Sequence, residues 1–287
     1  MIQPKSLLMP INTSGQVVER IQGALAVASY CGAHLEVLHA QVSPRQFIPE
    51  DAMAMRMPHQ MVQQLEELAD KYARSESDEL QQQFAKLCDQ QQVLLSAESS
   101  PDQASTHWQE VNGLRSELVA ENGKVADLIL IPRPRSGKPT ATFEAAIMRS
   151  GKPVLLMPRT QTRFNPKRVL IAWNGSTEGG RAVTHALPWL QRAESVVIAT
   201  SKNSAQKKPG ADELIGYLSR HGIQAEPKQF DSRRRSAGEG LLDLAGELSA
   251  DLLVMGAFTH RRVHEQIFGG VTRHMVANAQ LPVLMMH

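Results

Sequence analysis

The sequence predicts an α/β protein built from two tandem doubly wound parallel-sheet domains of five strands each. Three observations predict it: the chain length, an internal repeat, and short apolar runs that alternate with helical patterns. The chain has 287 residues, and single hydrophobic cores rarely grow beyond ~250–300 residues. Lys5–Asn12 matches Lys167–Asn174 at an offset of 162, and Ala33–Ala40 matches Ala193–Thr200 at 160. Ala126–Ile131 matches Ala250–Met255 at 124, and Lys152–Pro158 matches Leu281–His287 at 129. Four apolar segments in one order, with similar flanks, indicate duplication.

In chain order, the run beginning at Leu7 is the first strand. Val17, Ile21, Ala24, Leu25 and Ala28 follow it at helical spacing. The strand in Ala33–Ala40 precedes Met61, Leu65, Leu68 and Tyr72, then Leu80, Phe84 and Leu87, which predict one long helix. Met53, Met55 and Met57 lie just before it and read as gap-filling under that helix. Leu114, Leu118 and Val125 give a weaker helix ahead of the strand Leu128–Ile131. Gly151 then reads as a helix stop before the strand Val154–Met157. Arg159–Pro166 is polar and reads as a linker between a first domain at 1–158 and a second at 167–287. There the cycle repeats, with helices marked by Ala182, Val183, Ala186, Leu187 and Leu190, and by Leu241, Leu242, Ala245 and Leu248. Strands alternating with helices mean βαβ units with right-handed crossovers. The offset falls from 160 to 124 because the first half carries about 36 extra residues, most of them the long helix. Its rise to 129 means that the first half lacks five residues just after its fourth strand.

Composition narrows the function classes. Apolar residues make up 42% and charged residues 21%, too apolar for disorder. No run approaches the ~20 apolar residues of a membrane span, and no signal peptide is expected at the N-terminus. Cys31 and Cys88 form neither a disulfide framework nor a metal cluster, which predicts a cytoplasmic setting. Residues 1–158 carry a net charge of −4 and residues 159–287 one of +6, so the second half suits an anion better. With only 5% aromatic residues, a nucleic-acid stacking surface is not expected.

Ligands of doubly wound sheets bind beyond the carboxyl ends of strands, near the switch in strand order. In the second half the fourth strand runs into Gly256, where a tight turn or a close ligand favours a residue without Cβ. Gly269-Gly270 precedes a helical run through Val271, Met275, Val276 and Ala279. The N–H groups of Gly270, Val271 and Thr272 would make an anion site, with the Thr272 hydroxyl as a further donor.

At this point the sequence resembles the universal stress protein family in its tandem form, over nearly the whole chain. The likeness is strongest in Lys167–Gly175 and Asp251–His287. Nucleotide-binding members of that family carry Gly-x2-Gly-x9-Gly-Ser/Thr between the fourth strand and the last helix. Here Gly256-x2-Thr259-x9-Gly269-Gly270 keeps the spacing, with Thr259 for the second glycine and Gly270 for the Ser/Thr. The family's adenine-contacting Asp corresponds to Asn174. The resemblance implies ATP, ADP or AMP in the second half only, with Mg solely as the nucleotide's companion. Asn174 would hold the adenine, Gly256 and Thr259 would line the ribose and phosphates, and Gly269, Gly270, Val271 and Thr272 would donate to phosphate. It also implies pairing of the two domains through Val154–Met157 and Val283–Met286, dimerisation of chains, and an unidentified protein partner.

The first half departs from this pattern. Pro132-Arg-Pro-Arg-Ser136 opens its loop, and Thr140-Ala141 stands opposite Gly269-Gly270. Both key glycines are missing and prolines remove backbone donors, so no nucleotide is expected there. Two other readings stay open, a ligand-free interaction scaffold and a slow nucleotide hydrolase with His264 or Glu265 as base. The hydrolase is disfavoured because no catalytic constellation can be assembled. His260 and His264 lack a third metal ligand, and Arg233–Arg235 reads as a solvated loop.

Overall fold

The apolar runs become strands buried on both faces, because helices cover both sides of the sheet. The computed structural model describes residues 3–41, 63, 77–202, 204, 206–231, 236–258 and 270–287. The first half supplies β1 (Ser6–Ile11), β2 (His34–Gln41), β3 (Leu94–Leu95), β4 (Ser105–Asn112), β5 (Leu128–Pro132) and β6 (Val154–Met157). The second supplies β7 (Arg168–Ala172), β8 (Ser195–Ser201), β9 (Glu226–Phe230), β10 (Leu252–Gly256) and β11 (Val283–Met286). Between them run α1 (Val17–Cys31), a helix at 77–91 (α2), α3 (Arg115–Asn122) and α4 (Ala141–Arg149). The later helices are α5 (Thr177–Leu190), α6 (Ala211–Arg220), α7 (Ala237–Glu247) and α8 (Gly270–Asn278).

The strands form one eleven-stranded sheet in the order β3-β4-β2-β1-β5-β6-β11-β10-β7-β8-β9. Each half is doubly wound, with its switch in strand order between β1 and β5 or between β7 and β10. All neighbours are parallel except β6 and β11, which join the halves antiparallel through Val154–Leu156 against Val283–Met285. That is the pairing expected of these two short apolar edge strands, since each alone would present unpaired backbone groups. Leu7, Met9 and Ile11 point to one face of the sheet and Leu8 to the other. Both core layers contain residues from both halves, so burial is continuous across the β6–β11 seam.

The duplication is visible down to single hydrogen bonds. Asp127 Oδ2 accepts from the Lys5 and Ser6 amides at 2.8 and 3.0 Å. Asp251 Oδ2 accepts from the Lys167 and Arg168 amides at 3.2 and 3.0 Å. In each half one carboxylate ties the start of the fourth strand to the start of the first.

Four expectations need correction or limit. The first half has an extra edge strand, β3, because Leu94 and Leu95 return alongside β4. Leu114 and Val125 are exposed rather than buried, since α3 spans only eight residues and turns Val119 and Ala120 to the core instead. The polar linker is packed: Phe164 is 7% exposed and meets Tyr30 of the first half and Trp189 of the second, with ring centroids 5.2 and 5.3 Å away. The long helix is described only at 77–91, where Leu80, Phe84 and Leu87 are buried as expected. The methionine run and residues 64–76 lie outside the described residues. Gly151 follows α4 with φ +70° and stops it as expected. No helix among the described residues is long and apolar enough to cross a membrane.

Candidate functional site

β7 and β10 part at the switch point of the second half, and their carboxyl ends open a cleft of about 420 Å³. One wall is Trp173 and Asn174, which follow β7, and the floor includes Met255 and Gly256 of β10. Phe230, Leu241 and Phe258 add apolar surface. Ser236, Ala237 and Gly238 at the start of α7 and Gly270, Val271 and Thr272 at the start of α8 form the far side. The chemistry is thus aromatic and apolar at one end, with two helix N-termini at the other. Lys207 is the charged side chain among the described lining residues.

Local sequence explains these placements. Ser176 caps α5 by accepting from the Gly179 amide at 3.1 Å, and Asn174 Oδ1 accepts from the Ser176 amide at 3.2 Å. The turn after β7 therefore fixes the Asn174 side chain, leaving its amide NH2 group for another acceptor. Trp173 Nε1 donates to the Pro209 and Gly210 carbonyls at 2.9 and 3.1 Å, which holds the segment bearing Lys207 over the end of β7. Ser236 and Glu239 form a capping box on α7. Ser236 satisfies the Glu239 amide, and the amides of Ala237 and Gly238 have no partner within their own helix.

The structure brings Asn174, Gly256, Gly270, Val271 and Thr272 to one cleft. Thr259 and Gly269 lie outside the described residues, as do His260, His264, Glu265 and Arg233–Arg235. Two of the expected roles change. A Cβ on Gly256 would sit 2.6 Å from the Gly179 nitrogen and 2.8 Å from the Glu178 carbonyl carbon. The close neighbour that requires glycine there is the first turn of α5, which occupies the space a Cβ would take. The Thr272 hydroxyl, 2% exposed with its residue, accepts from the Phe258 amide at 3.4 Å. It thereby anchors the start of the loop, and only its own hydrogen remains to donate. Gly270 differs from both, since a Cβ there meets no atom of a described residue within 4 Å.

Ser201, Ser204, Lys207, Phe230 and the start of α7 also line the cleft and escaped the sequence reading. The Ser236-x-x-Glu239 spacing could have revealed the α7 N-terminus. Nothing local marks the others, which arrive from the ends of β8 and β9 through the sheet order.

The first half has its own switch-point cleft, between the ends of β1 and β5, of about 320 Å³. Asn12 and Thr140 line it beside Pro10, Pro132 and Pro134, so the backbone there offers few donors, as the sequence implied. The two clefts are bridged: Arg133 donates to the Ala277 carbonyl of α8, and the rings of Phe143 and Phe258 lie 6.5 Å apart. Among the described residues no group of three or more His, Cys, Asp or Glu is placed to hold a metal ion.

Residues 165–287 match the model of the universal stress protein family. Over the whole chain, the structure is similar to a universal stress protein from Archaeoglobus fulgidus DSM 4304. The TM-score is 0.68 at 13% identity, covering 98% of this chain and 97% of that one. A protein of the same description from Pseudomonas aeruginosa UCBPP-PA14 gives a TM-score of 0.54 at 15% identity, covering 99% and 93%. Comparison with curated proteins gives no match.

Proposed function

We propose that this chain, whose second half belongs to the universal stress protein family and whose two halves share its fold, binds an adenine nucleotide in the second half. The observation that carries the reading is the cleft at the β7–β10 switch point. It has Asn174 and an aromatic wall at one end and the starts of α7 and α8 at the other. An adenine fits the first environment and phosphates the second, because helix N-termini offer unpaired N–H groups and a positive dipole end. Asn174 would meet the base, the backbone of Gly256 and Thr259 the ribose and phosphates, and Gly269, Gly270, Val271 and Thr272 the phosphate oxygens. ATP, ADP and AMP all suit this scheme, and Mg would enter only with the nucleotide. Occupancy would change the surface offered to a protein partner in a cytoplasmic stress response. The chain would act by binding rather than by turnover.

Calorimetry with ATP and Mg tests the proposal. Wild-type chain should release heat, and Gly270→Ile, whose Cβ meets no atom of a described residue within 4 Å, should not. No heat from the wild type at high protein concentration would overturn it.

One observation favours a ligand-free scaffold instead. The Asn174 carbonyl and the Thr272 hydroxyl already serve the protein's own backbone. That reading predicts an unchanged melting temperature with nucleotide, and partner recovery indifferent to Gly270→Ile.

A further inference from the structure

The cleft of the first half has no role in the nucleotide reading, yet four arginines are among the described residues that line it. Arg20, Arg115, Arg135 and Arg159 all line it, and no aspartate or glutamate does. They come from four places in the chain: α1, the start of α3, the loop after β5, and the residue two beyond β6. Only the sheet order brings them together.

Their hydrogen bonds within the protein go to neutral groups. Arg20 is 6% exposed and donates to Asn12 Oδ1 at 2.9 Å and to the Asn12 and Gln16 carbonyls. Arg159 donates to Gln16 Oε1 at 3.1 Å, to the Gly15 carbonyl at 2.8 Å, and to the carbonyls of Ser14 and Arg133. Every one of these acceptors is neutral. The side chains of Arg115 and Arg135 make no hydrogen bond or ion pair with a described residue. Elsewhere the same chain pairs its arginines with carboxylates, Arg149 with Glu117 at 2.6 Å and Arg168 with Asp251 at 3.0 Å. Burial, then the neighbouring charges of Arg159 and Arg115, pull the Arg20 guanidinium down to about 10 against a smaller opposing effect of Glu19. Burial, then Arg135 and Arg133, lowers that of Arg159.

Like charges gathered around the buried Arg20 repel one another, and an anion that joins them relieves the repulsion. We propose that the first-half cleft binds a small organic phosphate carrying at least two negative charges. The guanidinium forks of Arg20, Arg115, Arg135 and Arg159 would hold phosphoryl oxygens in place of the backbone donors that prolines removed. Pro10, Ile131, Pro132 and Pro134 supply an apolar wall for the organic part. Convergence of the charges into a cavity of about 320 Å³, rather than along a face, selects a compact anion over a polyanionic chain. Asn12 beside Arg20 fixes the guanidinium direction through its carbonyl oxygen.

This site is independent of the nucleotide reading, and its test keeps the two apart. The full chain is titrated with inorganic pyrophosphate by calorimetry, and melting temperatures are recorded with and without it. One pyrophosphate should bind per chain and raise the melting temperature. Arg115→Gln and Arg135→Gln should each weaken binding at least about tenfold, the scale of one charge-assisted pair, while Gly270→Ile leaves it unchanged. Without pyrophosphate, Arg115→Gln should melt no lower than wild type, because it removes repulsion and no protein partner. Absence of binding at millimolar pyrophosphate would overturn the proposal. So would equal affinity in both arginine variants, or loss of binding in Gly270→Ile with the arginine variants intact. Arg135 is exposed, so Arg135→Gln stays folded and decides the matter if Arg115→Gln does not.

Discussion

Two glycines of one motif should respond to alanine in opposite directions. A Cβ on Gly256 would lie 2.6 Å from the Gly179 nitrogen, 2.8 Å from the Glu178 carbonyl carbon and 2.9 Å from Glu178 Cβ. Favourable contact between heavy atoms begins near ~3.5 Å, so the first turn of α5 or the end of β10 must retreat by about 1 Å. Neither is free to do so. α5 is pinned by the Ser176 cap, and the end of β10 is paired with β11 and bonded onward from the Ala257 amide to the Met286 carbonyl at 2.8 Å. Overpacking of this kind costs ~1–3 kcal/mol. A Cβ on Gly270 meets no atom of a described residue within 4 Å, and Gly→Ala at a compatible position stabilises by ~0.4–1 kcal/mol. Urea unfolding of Gly256→Ala and Gly270→Ala should therefore move the midpoint down and up respectively, separating the two by about 1.5–4 kcal/mol. A Gly256→Ala midpoint equal to or above that of wild type would refute the packing argument.

Three further outcomes follow from the fold. Asp127→Ala and Asp251→Ala should destabilise by similar amounts, ~1–3 kcal/mol each, because each deprives two strand-start amides of a charged acceptor; a large effect in one half only, by urea unfolding, would contradict the shared role. Phe164→Ala should cost ~3–5 kcal/mol by opening the contact among Tyr30, Phe164 and Trp189, and a melting temperature equal to wild type would restore the view of a slack linker. Burial pushes the Cys31 and Cys88 thiols up to about 12, so a thiol reagent at about pH 8 should label them only on unfolding; prompt labelling of the folded chain would be the contrary result.

The strands and the seam between the halves were legible because they rest on local apolar runs and on a repeat that preserves their order. Asp127 and Asp251 stand at matched positions of that repeat, each after Ala at a strand start. Val125 was misplaced because three periodic positions cannot tell an eight-residue helix from a longer one. The site was only half legible. Asn174, Gly256 and Gly270–Thr272 come from segments whose ends the pattern marked. Ser201, Lys207 and Phe230 reach the cleft only through the strand order, which no local pattern encodes. Charge misled most. The second half has the positive sum, yet its cleft has Lys207 alone among described charged lining residues, while the acidic first half concentrates four arginines. A net charge counts residues without locating them, and the field in a cleft depends on location.

The central claim is a nucleotide in the second half, and native mass spectrometry of freshly purified chain incubated with ATP and Mg meets it most directly. The wild type should carry the added mass of an adenine nucleotide in a site that Gly270→Ile loses and Arg115→Gln keeps. A wild-type spectrum without that mass, or a Gly270→Ile spectrum identical to wild type, would contradict the account.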